Sequence, residues 1–146
     1  MNNIYYQIIA YNSHWHVQSL ALRYKILRAP LGLKYAYDDL LKEVNQIHFA
    51  AIREDEVIGV CLLQKINTHQ AKLRQFAIAE NCQKSGIGKA LLLYAEEYAR
   101  QQHYTEIILH ARQTAMGFYQ KNGYAEMGDI FHEVGLPHFK MQKLIC

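Results

Sequence analysis

The sequence predicts an α/β fold: a mixed, mostly antiparallel central sheet with helices on both faces. Three observations carry that reading. β-rich and helical segments follow one another in the order β-α-α-β-β-β-α-β-α-β-β. The segments flanking the most regular helix form a βαβ unit, whose strands run parallel and whose crossover is right-handed. The composition, 51% hydrophobic and 20% charged over 146 residues, is that of one folded domain.

Residues 4–11 read as the first strand, closed by Asn12-Ser13, and Ser13 is placed to cap a helix over residues 14–28. Pro30 and Gly32 stop that helix. Asp38-Asp39 then precede a short second helix, residues 40–44, where their carboxylates favour the positive end of the helix dipole. Residues 47–53 and 57–66 are β-rich and separated by the polar turn Glu54-Asp55-Glu56, the pattern of an antiparallel hairpin. Residues 71–79 make the next strand. Over residues 86–102 the apolar Ile87, Leu91, Tyr94, Ala95 and Tyr98 recur at helical spacing, while Lys89, Glu96, Glu97, Arg100 and Gln101 fall largely elsewhere. Residues 106–111, Glu-Ile-Ile-Leu-His-Ala, form a short apolar strand suited to the sheet centre. A helix over 114–122 ends at Gly123, and β-segments at 124–133 and 138–144 close the chain around Gly135-Leu136-Pro137.

Several function classes fall away on composition. The net charge of +3 is small for a dedicated nucleic-acid binder, so no nucleic-acid partner is expected. Cys61, Cys82 and Cys146 contain no C-x-x-C pair and read as free thiols of a reducing compartment. His14 and His16 point about 200° apart on a helix, and no H-E-x-x-H or Cys/His ligand set occurs, so no metal is expected. No run approaches the roughly 18 apolar residues of a membrane helix. Met1-Asn2-Asn3-Ile4-Tyr5-Tyr6 lacks the charged-then-apolar plan of a signal peptide. No linker or repeat interrupts the chain. The expectation is one cytoplasmic domain over residues 1–146, with no membrane partner.

The most informative stretch is Gln83-Lys84-Ser85-Gly86-Ile87-Gly88-Lys89-Ala90, between a strand and the most regular helix. A helix start presents unpaired backbone N–H groups, and glycines let an anion approach them closely. A phosphate or pyrophosphate site is the natural inference. A Walker A loop needs glycine at the position of Gln83 and Ser or Thr at that of Ala90, which argues against ATP or GTP. A dinucleotide fingerprint needs a third glycine where Leu91 stands and an acidic residue ending the next strand, whereas Glu106 begins it.

Gln83, Gly86 and Gly88 match the Gln/Arg-x-x-Gly-x-Gly/Ala signature, and the segment resembles that of the GNAT superfamily of N-acetyltransferases. Phe76-Ala77-Ile78 at the usual distance upstream, and the run from Ala115 through Phe118-Tyr119 to Gly123-Tyr124, strengthen the resemblance. It implies acetyl-CoA as cosubstrate, lying where the strand at 71–79 splays from that at 106–111. The backbone of Phe76, Ala77 and Ile78 would then meet the pantetheine and acetyl carbonyl. The amides of Lys84, Ser85, Gly86, Ile87, Gly88 and Lys89 would hold the pyrophosphate beside Gln83, with Lys84 and Lys89 adding charge. A preorganised amide at the thioester oxygen stabilises a developing oxyanion. Tyr119 takes the family position of the acid that protonates the departing thiolate; packing onto the sheet is the competing role.

An amine nucleophile must lose a proton before it attacks, so a base or water chain is needed. Some relatives carry a carboxylate on the cofactor strand where this chain has Lys72. Glu80, at the end of that strand, is one candidate. Glu133 and His138 are others, within a stretch that looks like the F-x-E-x-G-x-P-H-x-x-M tail of small bacterial acetyltransferases: they flank a turn and would converge as anchor and base. The competing roles are a surface charge at Glu133 and turn closure at His138. Gln113 stands where many relatives have Asn. Tyr24, Lys25, Arg28 and Leu31-Gly32 fall in the region that covers the acceptor in relatives. Cys82 borders the loop without a paired His and is expected at the surface. The resulting expectation is direct transfer of acetyl from acetyl-CoA to a primary amine in a ternary complex. A CoA-binding module of the same fold without turnover is the alternative. Such domains often dimerise through their last strands.

Overall fold

The computed structural model describes residues 3–146; Met1 and Asn2, part of the stretch read above for a signal peptide, lie outside the described residues. The elements are β1 (Ile4–Ile9), α1 (His14–Arg23), a π-helical turn (Tyr24–Arg28), a 3-10 turn (Ala29–Leu31), α2 (Tyr37–Leu41), β2 (Ile47–Arg53), β3 (Glu56–Lys65) and β4 (Gln70–Ile78). A 3-10 turn (Glu80–Cys82), α3 (Ile87–Gln101), β5 (Glu106–Arg112), a 3-10 turn (Gln113–Ala115), α4 (Met116–Lys121), β6 (Ala125–Glu133) and β7 (Leu136–Leu144) follow. The seven strands lie in the order β1-β2-β3-β4-β5-β7-β6. β4 and β5 pair in parallel, as the βαβ unit requires, while β1–β2, β2–β3, β5–β7 and β6–β7 are antiparallel. The described chain forms two compact units: the residues up to Gln64 with Gln75–Ala95, and Lys65–Arg74 with Glu96–Cys146.

In the first unit, Ser13 caps α1 as its sequence position predicts: its Oγ accepts from the His16 N–H at 3.1 Å. α1 ends at Arg23, earlier than the predicted residue 28, because the chain widens into the π-helical turn before Pro30 and left-handed Gly32. α2 starts at Tyr37, so that Asp38 and Asp39 sit inside its first turn instead of preceding it. The β2–β3 hairpin is tighter than read. Glu54 and Asp55 both take positive φ and make a two-residue turn, and Glu56 joins β3 opposite Arg53. One side of these strands buries Ile9, Ala50, Ile52, Val60 and Leu62 with Leu22 of α1, against Trp15, Ile26 and Leu27. On the other side Phe49 meets Tyr94 of α3 edge-on at 6.0 Å. Gly59 permits that packing, since a Cβ there would lie 2.9 Å from Ile78 Cδ1 and 3.3 Å from Leu91 Cδ2.

In the second unit β5 is central, its Ile107, Leu109 and Ala111 almost wholly buried. Glu96 departs from the predicted polar face of α3. It is fully buried, accepts from Tyr124 Oη at 2.8 Å, and pairs with Lys143 Nζ at 2.9 Å. α4 proper begins at Met116, and left-handed Gly123 (φ 94) terminates it. The β6–β7 turn is Val134-Gly135, both at positive φ, so Leu136 and Pro137 belong to β7. Proline is tolerated there because the β5 ladder starts only at His138, leaving Pro137 paired with β6 alone.

Candidate active site

The first unit holds the whole predicted cofactor segment. β4 carries Gln75 at φ 55, a left-handed residue within a strand, directly before Phe76-Ala77-Ile78. Such a conformation in a non-glycine residue persists only where neighbours enforce it. Tyr35 supplies one restraint by donating its hydroxyl to Gln75 Oε1 at 2.7 Å. Tyr35 is itself clamped, with the guanidinium carbons of Arg23 and Arg28 at 4.8 and 4.6 Å from its ring centre. Arg23, fully buried, makes a bidentate pair with Glu43 at 2.8 and 2.9 Å. The sequence alone does not reveal this Glu43–Arg23–Tyr35–Gln75 chain; only Tyr24, Lys25, Arg28 and Leu31-Gly32, expected to cover an acceptor, point toward its region.

After β4 the chain makes the 3-10 turn and then the loop. Gln83 donates its side-chain amide to the Ile78 carbonyl at 3.1 Å, tying loop to strand. Ser85 donates its hydroxyl back to the Cys82 carbonyl. Lys84 (φ 62) and Gly86 (φ 89) are both left-handed, and Gly86 O accepts the first bond of α3 from the Ala90 N–H at 3.1 Å. The amides of residues 86–89 therefore precede the intrahelical ladder, at the positive end of a fifteen-residue helix. A Cβ at Gly86 would meet no atom within 4 Å, so the loop is open on that side. Lys84, Ser85 and Lys89 are exposed and Ile87 is buried beneath them. This arrangement can hold an anion of pyrophosphate type.

Cys82 corrects the expectation of surface placement. It is 2% exposed, with Arg53 Nη2 donating to its sulfur at 3.4 Å, because the 3-10 turn folds the residue inward. Glu80 is exposed and lines a cleft of about 570 Å³ with Gln18, Lys25, Glu56 and Asn81. Gln18 braces that cleft by accepting from the Val57 N–H at 2.9 Å and donating to Asp55 O at 3.2 Å.

The second unit holds Tyr119, Glu133 and His138. Tyr119 is buried in α4, its ring centre 5.8 Å from that of Tyr124. Glu133 and His138 do come together: Glu133 Oε2 lies 3.7 Å from His138 Nε2. His138 Nδ1 also contacts the Leu136 carbonyl at 2.9 Å, so the histidine closes the turn as well. The other carboxylate oxygen of Glu133 lies 3.2 Å from Nδ1 of His110, a residue the sequence reading passed over as an apolar-strand position. Burial pulls the His110 pKa down, an effect reinforced by Lys72 and Lys140 and opposed by Glu133.

A sheet in this strand order, with a glycine-bearing loop leading from β4 into α3, is the acyl-CoA N-acyltransferase fold. The structure of Escherichia coli ElaA superposes with a TM-score of 0.81 at 19% identity, covering 97% of this chain and 99% of that one. An aminoglycoside 6'-N-acetyltransferase complexed with coenzyme A superposes with a TM-score of 0.79 at 18% identity, covering 97% of each chain. In sequence, the uncharacterized protein YyaT of Bacillus subtilis (strain 168) is 35% identical over 107 residues, 73% of this chain and 71% of YyaT. The family profile described as acetyltransferase (GNAT) domain matches residues 31–145, and the chain belongs to that family.

Proposed function

We propose that the protein transfers an acetyl group from acetyl-CoA to a primary amine by direct attack in a ternary complex. The observation that carries this reading is the loop at residues 83–89, whose left-handed Lys84 and Gly86 leave helix-start amides open to a pyrophosphate. The coenzyme A bound to a neighbour of the same fold supports it. In the reaction the amine nitrogen attacks the thioester carbonyl carbon, the carbon–sulfur bond breaks, the thiolate takes up a proton, and the nitrogen loses one. Phe76, Ala77 and Ile78 offer backbone groups to the pantetheine and acetyl oxygen. Tyr119 is the assigned proton donor to sulfur. His138 with Glu133 as its anchor, and Glu80 in the first unit's cleft, are the candidate proton acceptors. The free cysteines Cys61, Cys82 and Cys146 suit a cytoplasmic setting, and burial pushes the Cys61 thiol up and out of reactive range.

Thermal unfolding of wild type and Gly86→Glu, with and without acetyl-CoA, tests the reading, since a ligand that binds only the folded state raises the midpoint. A rise in wild type that vanishes in the variant supports it. No rise with acetyl-CoA or CoA overturns it. Release of CoA thiol with a panel of amines, and a loss of about 10²-fold in Tyr119→Phe, then separates an enzyme from a binding module that does not turn over.

A further inference from the structure

Glu133 holds two imidazoles, and only one of them is open. Its Oε2 lies 3.7 Å from Nε2 of His138, and its Oε1 lies 3.2 Å from Nδ1 of His110. A carbonyl only accepts, so Nδ1 of His138 donates to Leu136 O at 2.9 Å and its other nitrogen is the one that faces the carboxylate. Both nitrogens of His138 are thus committed: the ring closes the turn and backs Glu133.

His110 is arranged the other way round. A carboxylate likewise only accepts, so Nδ1 donates to Glu133, and the neutral ring carries its lone pair on Nε2, which no described residue engages. Its side chain is 26% exposed, against 4% for His138. Phe131 steadies the ring edge-on at 4.9 Å between centres. The parallel ladder of β4 and β5 runs from the pair Gln70–Glu106 to the pair Leu73–Leu109, and His110 is the next residue of β5, opposite Lys140 of β7. Among the described residues it therefore stands where the two strands part, the place at which acetyl-CoA is expected to lie.

By alternation, Lys72 and Arg74 of β4, Glu106 and Arg112 of β5 and Lys140 of β7 share its face with Glu133. Burial lowers the His110 pKa, the bond to Glu133 opposes this, and Lys72 and Lys140 add to the lowering. The ring is accordingly in its accepting, uncharged form at neutral pH.

We propose that His110 is the catalytic base of the transfer: its Nε2 takes the proton that the amine nitrogen gives up on bonding to the thioester carbon, while Glu133 holds the ring through Nδ1 and His138 holds Glu133. One carbon–nitrogen bond forms, the carbon–sulfur bond breaks, one proton passes to Nε2 and another reaches the departing sulfur from Tyr119. This rests on the acetyl transfer proposed above and decides among its proton acceptors.

The test compares putrescine, β-alanine and tyramine with hydroxylamine, a weakly basic nucleophile whose nitrogen sheds its proton without help. His110→Asn is the informative variant, because its side-chain amide still donates to Glu133 as Nδ1 does but has no nitrogen that accepts a proton. With the best of the three amines, wild-type kcat is expected to fall as pH is lowered below about 6.5, since the base must be uncharged. His110→Asn should lack that acid limb and lose about 10²-fold or more in kcat, with a far smaller loss for hydroxylamine and with the acetyl-CoA rise in melting midpoint retained. His138→Asn, which keeps the bond to Leu136 O, should lose less and retain the limb. If His110→Asn does not fold, His110→Gln is read by the same criteria. A variant at His110 that keeps both rate and limb, equal losses with the amine and with hydroxylamine, or a limb that depends on His138 instead overturns the assignment. Wild type that binds acetyl-CoA but turns over none of the four acceptors overturns the base and leaves a binding module. Wild type that does not bind acetyl-CoA overturns the transfer reading itself, and the base with it.

Discussion

The Tyr35 hydroxyl donates to Oε1 of Gln75 at 2.7 Å, and Gln75 is the residue at which β4 turns left-handed. A side chain outside the sheet therefore restrains the backbone that enters Phe76-Ala77-Ile78. Tyr35→Phe is expected to lose about 1 kcal/mol of stability and to raise the KM for acetyl-CoA several-fold with a smaller change in kcat. Adding Gln75→Gly, which adopts positive φ without strain, should recover the KM; steady-state kinetics on the three proteins checks this.

Arg23 and Glu43 form a fully desolvated pair. Arg23→Met is expected to cost about 3–5 kcal/mol in urea unfolding, because it strips Glu43 of its guanidinium and Tyr35 of one of its two cations. The double variant Arg23→Met/Glu43→Leu should be more stable than Arg23→Met alone, since the buried charge goes with its partner.

The Asn12 N–H donates to His16 Nδ1 at 3.0 Å, which requires that nitrogen to be unprotonated. Burial, then His48 and Arg23, hold the His16 pKa below its usual 6.5, with Glu43 opposing. The unfolded chain therefore binds the proton more readily. Stability from this site is complete above about pH 6.5 and is lost as pH falls from there through the folded value. Melting curves of wild type and His16→Gln between about pH 7.5 and 5 should show wild type losing its advantage on acidification.

Gly59 lies where a Cβ would come within 2.9 Å of Ile78 Cδ1. Gly59→Ala should destabilise by about 1–3 kcal/mol through overpacking, and Gly59→Ala/Ile78→Val should restore part of the loss, measured by chemical denaturation.

Much of this architecture was legible because it rests on local signals. Ser13 as cap, Gly123 as stop and the apolar period of α3 each act within a few residues, and the loop at 83–89 announces itself by glycine spacing. What stayed hidden depends on partners distant in sequence. Glu96 looks like a surface charge until Tyr124 and Lys143, 28 and 47 residues away, meet it. His110 looks like one polar interruption in an apolar strand until the β6–β7 hairpin delivers Glu133. The turn at Glu54-Asp55 was read one residue too long because nothing local signals that both residues accept the left-handed region. Cys82 was misplaced because its burial follows from a 3-10 turn and from Arg53, 29 residues upstream.

β6 ends the sheet, and its ladder to β7 breaks between Met127 and Phe131, with left-handed Gly128 at the start of the break. An open border strand is a template on which further chains can add, and a long flat one seeds fibrils. Here the break divides the border into two short runs, and the exposed Glu126, Asp129, His132 and Glu133 would set polar or charged side chains against an incoming copy. The irregularity in β6 thus acts as a guard against ordered aggregation, independent of whatever chemistry the rest of the molecule performs.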